Sequence, residues 1–411
     1  MMQETAADRS EATPELDISF AADADQLLQW SEDGRNILGS LLAAAHAPEH
    51  ARTMRSFTQK ELIETFLGTE HIKPLRKWVR SNVIPRLKKA GEEGRVRLTL
   101  EDFHAYMADA GLMPSRPAGS RAMRMMIGAY KGGSGKSSVT LHLAQLLGLK
   151  GWRVLVIDSD PQGTLTKAFG LMPELVKDED TLKATFDTIG TNNPVQPITF
   201  RKTHLPTVFL TPANLSLMQA DMTLVSAFRR EDGKDFYRAV DRALELVDDQ
   251  FDFILVDTPP AFSMTSIAVL WAAQGLLLPM PSEIPDFAAA FDFCEMVGGL
   301  FESLEDITGE KKSWDPVIVA HSKVKGTNAA DRVRQLAAAI FKGNRIEELI
   351  PDIAAVSNAF GEFKSVFEAT GATVDSKSLM RAREAYSQMG DRLVRIVVRV
   401  WERQAQEARN G

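Results

Sequence analysis

The chain has 411 residues, of which 44% are hydrophobic and 25% are charged, and its formal net charge is −7. This composition is typical of a soluble globular protein with roughly two or three domains. The single cysteine, Cys294, excludes a disulfide framework and any cluster held by paired thiolates, so it indicates a reducing compartment and a buried structural role for that side chain.

The first fifty residues divide into a tail and a helix. Residues 1–23 are acidic and lack the apolar stretch of a signal peptide, so we expect a disordered, solvated tail and a cytoplasmic protein. Residues 24–50 place leucines and isoleucines at near-helical spacing, although Gly34 and Gly39 weaken any single long helix. This segment is predicted to be an N-terminal packing or dimerisation helix.

Residues 51–113 form a basic region in an acidic protein. From Arg52 to Arg97 there are twelve basic and five acidic residues, and two short amphipathic patterns flank a turn at 67–69, which is the outline of a helix-turn-helix. Pro74 belongs in the first turn of the second helix, which should therefore begin near Ile72. A glycine-containing hairpin then resembles a wing. The candidate DNA-binding residues are Lys73, Arg76, Lys77, Arg80, Arg95 and Arg97; a solvated basic surface is the alternative.

Residues 114–122 are rich in proline, glycine and serine and are predicted to be a linker. From 123 to 375, short apolar runs alternate with helical patterns, which predicts an α/β fold with a mostly parallel sheet flanked by helices. The uncharged stretch 258–282 is interrupted by prolines and favours a buried helix and strand over a membrane span. Residues 376–411 are predicted to form a C-terminal basic helix. The predicted strands are 125–129, 154–157, 208–210, 253–256, 276–278 and 317–320.

The stretch GAYKGGSGKSS, residues 128–138, lies between a predicted buried strand and a predicted helix. It departs from Gly-x-x-x-x-Gly-Lys-Ser because Tyr130 replaces the first glycine, and it carries an additional lysine, Lys131. Its glycines let backbone N–H groups approach phosphates, Lys136 would reach the β- and γ-phosphates, and Ser137 would bind Mg²⁺. The candidate nucleotide-binding residues are Lys131, Gly132, Gly133, Ser134, Gly135, Lys136, Ser137 and Ser138.

Carboxylates follow two other predicted strands. Asp158 and Asp160 follow one, and Asp257 follows another. Ligands of open α/β sheets bind at the carboxyl ends of strands, so these side chains are candidates for the metal and the attacking water. Ser137, Asp158 and Asp257 are the candidate metal ligands, and Lys131, Lys136 and Asp160 the candidate catalytic residues. No guanine-specific Asn-Lys-x-Asp motif occurs, so ATP is favoured over GTP.

Together, KGGSGKSS, VLVIDSDPQG and FILVDTPP resemble the deviant Walker A, A′ and B motifs of the ParA/MinD family of ATPases, and the resemblance covers roughly residues 123–370. It implies a P-loop NTPase sheet, ATP and Mg²⁺ as cofactors, and weak intrinsic hydrolysis. It also implies a homodimer in which Lys131 reaches the phosphates of the partner subunit.

With the upstream helix-turn-helix, the chain resembles the larger plasmid partition ATPases, including those of repABC replicons. That resemblance implies nonspecific binding to nucleoid DNA, a ParB-type (RepB) centromere-binding partner that stimulates hydrolysis, and repression of the protein's own operon at operator DNA.

The chain departs from the partition family at Asp352, and two other functions are alternatives to partition. Asp352 stands where shorter relatives carry an arginine, so nonspecific DNA contacts are expected at Lys342, Arg345, Lys364 or the C-terminal helix. A MinD-like ATPase would instead bind membrane through the apolar side of that helix, formed by Leu393, Ile396, Val397, Val400 and Trp401. A nucleotide-regulated transcription factor is the other alternative. The helix-turn-helix favours partition, without a membrane partner.

Overall fold

The structure is a computed structural model that describes residues 23–45, 52–82, 96–129, 131–191, 193–229, 235–371 and 375–410. The chain divides into two units, with the boundary between Ala51 and Arg52. The first unit contains helix α1, Ala24–Ala45, which is continuous through Gly34 and Gly39. The two glycines do not interrupt the helix, because a helical glycine costs only about 1 kcal/mol and keeps its backbone hydrogen bonds.

The second unit begins with a small N-terminal module, defined here as residues 52–82 and 96–110. Its elements are β1 Phe57–Thr58, α2 Gln59–Leu62 with a π-helical continuation Ile63–Leu67, a 3₁₀ turn Thr69–His71, α3 Ile72–Ser81, β2 Arg97–Leu98 and α4 Leu100–Asp109. Strands β1 and β2 pair antiparallel. Helix α3 begins at Ile72 as predicted, because Pro74 fits only in a first turn, where no N–H is needed. Most of the predicted wing lies outside the described residues.

An eight-stranded sheet forms the centre of the second unit. Its strands are β3 Met123–Ile127, β4 Val154–Asp158, β5 Arg201–Lys202, β6 Val208–Thr211, β7 Phe253–Asp257, β8 Gly275–Pro281, β9 Val317–Ser322 and β10 Arg345–Ile346. Their order is β10-β9-β8-β3-β7-β4-β6-β5, and only β5 pairs antiparallel among these described strands. All six predicted strands are confirmed. The two short edge strands were not predicted.

Helices cover both faces of this sheet. Alternate strand residues separate into two hydrophobic clusters: Met125 and Val156 belong to the cluster beneath α5 and α14, whereas Met126 and Leu155 belong to the one beneath α8, α10 and α11. The mostly parallel α/β fold is thereby confirmed. The helices are α5 Lys136–Leu149, α6 Thr164–Ala168, α7 Lys183–Phe186, α8 Leu217–Phe228, α9 Ala239–Glu245, α10 Met264–Ala272, α11 Ile284–Thr308, α12 Asn328–Phe341, α13 Ala354–Gly361 and α14 Ser376–Asn410.

The C-terminal helix α14 is built into the core. Leu393, Val397, Val400 and Trp401 are buried, and Ile396 packs partly buried against the same cluster. Trp401 Nε1 also donates a hydrogen bond to the carbonyl oxygen of Arg121, at 2.8 Å. The apolar side considered above for membrane binding is therefore occupied by the protein's own core.

Cys294 is exposed on α11, so the expectation that it would be buried is wrong. The buried side of α11 includes Phe293 and Val297 instead. Across the described segments, the helices are all too short or too polar to cross a membrane.

The N-terminal module is attached to the sheet domain through Glu368, a carboxylate that is only 7% exposed. It accepts hydrogen bonds from Arg52 Nε at 3.0 Å, from Gln145 Nε2 at 2.6 Å and from the Ser365 amide at 3.0 Å, and His204 Nε2 lies 2.8 Å away. Burial raises the pKa of Glu368, but His204 and Arg52 outweigh it and lower the pKa to about 2. We call these five residues the Glu368 cluster.

A second attachment uses Glu61 of α2. Its carboxylate accepts hydrogen bonds from Arg55, and from Arg383 of α14 at 3.2 Å. Arg383 also donates to the carbonyl oxygens of Val366 and Ala369. Arg55, from the basic region, and Arg383, from the C-terminal basic helix, therefore stabilise an internal contact.

Candidate nucleotide-binding site

The glycine-rich loop leaves the central strand β3 and leads directly into α5. Gly133 and Gly135 have φ angles of +78° and +93°, a region that residues with a side chain rarely adopt. Gly135 is the N-cap of α5, whose helical part begins at Lys136. The backbone N–H groups of that first turn have no partners within the helix, which makes the loop a natural anion site.

Lys136 extends back beneath the loop. Its side chain is largely buried, and its Nζ lies 3.5 Å from the carbonyl oxygen of Lys131. Burial lowers the pKa of Lys136, and the charges of Asp257 and Asp160 act in the opposite direction. A partly desolvated cation in this position is suited to bind an anion that enters the loop.

Asp257 ends β7, the strand next to β3, and is fully buried. Neither carboxylate oxygen has a hydrogen-bond partner of normal geometry among the described residues. Burial and the charge of Asp158 raise the pKa of Asp257 well above its usual value, while Ser137 and Lys136 favour its charged form. A buried carboxylate with two free oxygens beside a serine hydroxyl fits a site for a hard cation.

Asp158 lies beside Asp257, because the two are register partners at the ends of β4 and β7. Its Oδ2 accepts hydrogen bonds from the Thr166 amide at 2.8 Å and hydroxyl at 2.7 Å, and its Oδ1 accepts one from the Asp160 amide at 3.1 Å. Burial raises the pKa of Asp158 to about 7, despite the bonds from Thr166. Asp160 is less buried and accepts a hydrogen bond from the Gln162 amide at 2.9 Å.

Lys131, the additional loop lysine, points toward α11. Its Nζ lies 2.8 Å from Oδ1 of Asp286, and Lys131 is about half exposed while Asp286 is 8% exposed. Ser138, the last residue of the motif, lies 3.4 Å from His142 Nδ1 and 3.5 Å from the Tyr386 hydroxyl. We call the loop 131–138 together with Asp158, Asp160 and Asp257 the nucleotide edge.

Sequence reasoning missed two residues that hold the loop from β9. Ser322 donates its hydroxyl to the carbonyl oxygen of Ser134 at 2.9 Å, and Lys323 donates to that of Gly133 at 2.7 Å. Lys323 has a φ of +48°, unusual for a residue with a side chain. The signal in the sequence was a serine and a lysine at the end of a predicted strand, but only carboxylates were considered at strand ends.

The structure exposes one face of α3. Lys73, Arg76, Lys77 and Arg80 are all exposed, whereas Leu75 is buried in the module. Arg97 donates hydrogen bonds to the Ser56 hydroxyl at 2.9 Å and carbonyl oxygen at 2.8 Å. Arg95 lies outside the described residues.

The residues considered for nonspecific DNA contacts lie on elements other than α3. Lys342 is exposed at the end of α12, Arg345 lies 3.5 Å from Glu347, and Lys364 lies 3.1 Å from Glu362. Acidic neighbours thus accompany two of these three cations, which weakens their attraction for phosphate.

A parallel sheet whose central strand leads through a glycine loop into a helix, with carboxylates on the neighbouring strands, defines a P-loop nucleotide-binding protein. Residues 123–301 match an AAA domain family, AAA_31. The chain is 27% identical over 322 residues to a putative replication protein A of Rhizobium rhizogenes, covering 75% of this chain and 79% of that protein. It is 30% identical over 242 residues to protein SopA of Escherichia coli K12, covering 58% and 61%.

A third relative is the chromosome partitioning protein ParA of Myxococcus xanthus, 29% identical over 157 residues, with coverage of 38% and 51%. Among solved structures, one described as a partition protein superposes with a TM-score of 0.62 at 18% identity, covering 89% of this chain and 99% of that one. The ATP complex of a Cyanothece McdA variant superposes at 0.51 with 22% identity, covering 65% and 96%. Over its P-loop domain the chain is thus similar to proteins named for replication and partition, and it shares its fold with a solved partition protein.

Proposed function

We propose that the protein is an ATP-dependent DNA partition ATPase of a plasmid or similar replicon. The observation that carries this proposal is the pair of lysines in one loop, Lys131 and Lys136, beside the unpartnered carboxylate of Asp257. The names of the relatives, which include a chromosome partitioning protein, support partition as the process.

ATP with Mg²⁺ is the proposed ligand of the nucleotide edge. Residues 132–138 would surround the phosphates, with Lys136 facing the β- and γ-phosphates. Ser137 and Asp257 would hold the metal, which supplies charge compensation on the phosphates when bound. Asp158 is a weaker candidate ligand, because Thr166 and the Asp160 amide already use much of its capacity to accept. Lys323 is a further candidate contact, since it lies over the loop.

Hydrolysis to ADP and phosphate requires a group that orients water. Asp160 is the proposed residue, because it is more accessible than Asp158 and Asp257 and lies at the same sheet edge. Burial raises the pKa of Asp158 to about 7, and burial together with the charge of Asp158 raises the pKa of Asp257, so a bound cation would stabilise the charged form of both carboxylates.

The additional lysine supports a dimer in the proposed ATP-bound state. Lys131 is half exposed at the mouth of the loop, so its side chain can leave the subunit and reach the phosphates of a second copy. A cation there would offset the repulsion between two facing triphosphates. We expect this dimer to bind nucleoid DNA nonspecifically and to be released when a ParB-type partner stimulates hydrolysis.

The N-terminal module is proposed to bind operator DNA and repress the protein's own operon. Lys73, Arg76, Lys77 and Arg80 form the exposed cationic face that supports this role. A transcription factor regulated by nucleotide would use the same face. In that case ATP turnover would not respond to a ParB-type partner.

Lys131→Ala tests the proposal. The variant keeps Lys136, Ser137 and the glycines, so we expect near-normal ATP binding but little ATP-dependent dimerisation. The measurement is analytical ultracentrifugation with ATP and Mg²⁺ of the chain from Arg52 onward, since any dimer formed through α1 would mask the change. Lys177→Ala, an exposed lysine paired with Glu179, is the control. Dimerisation of the Lys131→Ala chain at the unmodified level would refute the proposed nucleotide sandwich, the dimer in which Lys131 of each subunit reaches the phosphates bound to the other.

A further inference from the structure

The contact between Lys131 and Asp286 has no place in nucleotide binding by a single subunit. The Nζ–Oδ1 distance of 2.8 Å is that of a direct charge-assisted hydrogen bond. Asp286 is the third residue of α11 and follows Pro285, so its backbone is fixed in a first helical turn. The Asp286 backbone is thus held in a helix, while Lys131 lies on a loop and has the longer side chain, so Lys131 is the partner that can reorient.

The two members of the Lys131–Asp286 pair differ in their exposure to solvent. Lys131 is 45% exposed and can be solvated elsewhere, whereas Asp286 is 8% exposed and cannot. Removing the cation would leave a largely buried carboxylate without its partner, which is costly. Lys131 therefore leaves Asp286 only if its new contacts offset that loss, or if another cation replaces it.

The neighbouring charges make it difficult for another cation to replace Lys131 beside Asp286. Lys325 is another cation close enough to interact with the charge of Asp286, but its Nζ lies 2.7 Å from Oε1 of Glu283. The segment 282–286 thus carries two carboxylates, each paired with its own lysine. Lys325 would have to give up Glu283 to compensate Asp286.

We propose that Asp286 is a positioning residue that retains Lys131 within its own subunit and thereby sets the threshold for closing the nucleotide sandwich. This rests on the proposed function, in which Lys131 crosses to the second subunit. The crossing lysine exchanges one anion, Asp286, for another, the partner's phosphates. Nucleotide without a facing second nucleotide offers no such exchange, so premature closure is disfavoured.

The test measures how fast nucleotide escapes. A fluorescent, non-hydrolysable ATP analogue with Mg²⁺ is bound to the full-length protein and chased with excess ATP; nucleotide enclosed between two subunits leaves only after they open. Asp286→Asn keeps the side-chain shape but removes the charge, so we expect dissociation about tenfold slower than in the unmodified protein, equivalent to about 1.4 kcal/mol. This readout does not depend on whether the protein is already dimeric through α1.

Two controls separate this proposal from local damage and from failure of the function. Asp292→Asn makes the same change on an exposed part of α11 and should leave the rate unchanged. In a Lys131→Ala background, Asp286→Asn should have no effect, because the residue acts through that lysine. Dissociation from Asp286→Asn at the unmodified rate or faster would overturn the proposal. No binding of the analogue by the unmodified protein, or normal retention by Lys131→Ala alone, would overturn the proposed function instead.

Discussion

The nucleotide edge and the C-terminal helix α14 both looked cationic in the sequence, yet their charges serve different purposes. At the edge, Lys131 and Lys136 lie among carboxylates that have spare capacity for a ligand. On α14, by contrast, Arg383 donates its hydrogen bonds to carbonyl oxygens inside the protein. The same helix packs into the core through Trp401, which donates to the carbonyl oxygen of Arg121. The difference teaches that a charged residue indicates a ligand only when the groups around it remain unsatisfied.

The largest effect on nucleotide binding is expected at the nucleotide edge. Lys136→Ala removes the one largely buried cation beneath the loop, so ATP binding should fall by at least a hundredfold, about 2.7 kcal/mol or more. Isothermal titration calorimetry with ATP and Mg²⁺ measures it. Lys150→Ala, a lysine at the other end of α5, is the control. Unchanged affinity would mean that this edge does not bind the nucleotide.

The corresponding change in α14 should affect folding instead. Trp401→Ala removes a fully buried indole and its hydrogen bond to Arg121, which should lower the free energy of unfolding by about 3–5 kcal/mol. Urea denaturation measures the loss, and Arg399→Ala on the exposed side of the same helix should change it by less than about 0.5 kcal/mol. Equal free energies of unfolding for the two variants would show that the packing of Trp401 does not stabilise the fold.

A third variant, Glu368→Gln, tests how the free energy of unfolding depends on pH. Glu368 has a pKa of about 2 in the folded protein, against an ordinary value of 4.5, because His204 and Arg52 outweigh the effect of burial. A lowered pKa stabilises the fold above about pH 4.5, and that contribution disappears as the pH falls toward 2. Glu368→Gln should therefore cost about 3 kcal/mol at pH 7.

The measurement for Glu368→Gln is urea denaturation at a series of pH values. The gap from the unmodified protein should narrow as the pH falls below about 4.5. Glu362→Gln, at an exposed carboxylate, is the control. A gap that stays constant down to pH 3 would show that the carboxylate charge does not contribute.

The smallest effect is expected on α3, where the cations are exposed. Replacing Arg76, Lys77 and Arg80 with alanine should weaken operator binding and make the slope of log affinity against log salt shallower by about 2–3, since each lost phosphate contact removes about 0.9. ATP turnover should be unchanged. Footprinting over a salt series measures both quantities, with Lys60→Ala on α2 as the control. An unaltered slope of log affinity against log salt would mean that the cations of α3 are solvated and do not contact DNA.

The strands and the loop could be predicted because their signals are local. Each predicted strand is an apolar run of a few residues, and the loop carries its glycines and lysines within eleven positions. Asp286 and Lys323 could not be assigned, since they approach the loop only because β8 and β9 lie on the same side of β3. Strand order depends on contacts between distant segments.

The same limit explains the misread basic residues. Arg52 was counted in the net charge of the basic region, but its partner Glu368 lies 316 residues further along the chain. Net charge over a window of sequence does not show which charges are already paired. The exposed face of α3 was predictable, because helical periodicity together with Pro74 determines which side faces outward.

The Glu368 cluster also determines where this protein can be shortened. Arg52 is the second unit's first residue, and it donates at 2.8 Å to the carbonyl oxygen of Ala168, at the end of the helix that follows Asp158 and Asp160. A fragment that began at β3, the start of the matched AAA region, would lose Arg52 while Glu368 remained buried. We therefore expect a fragment that begins at β3 to be less stable than one that begins at or before Arg52.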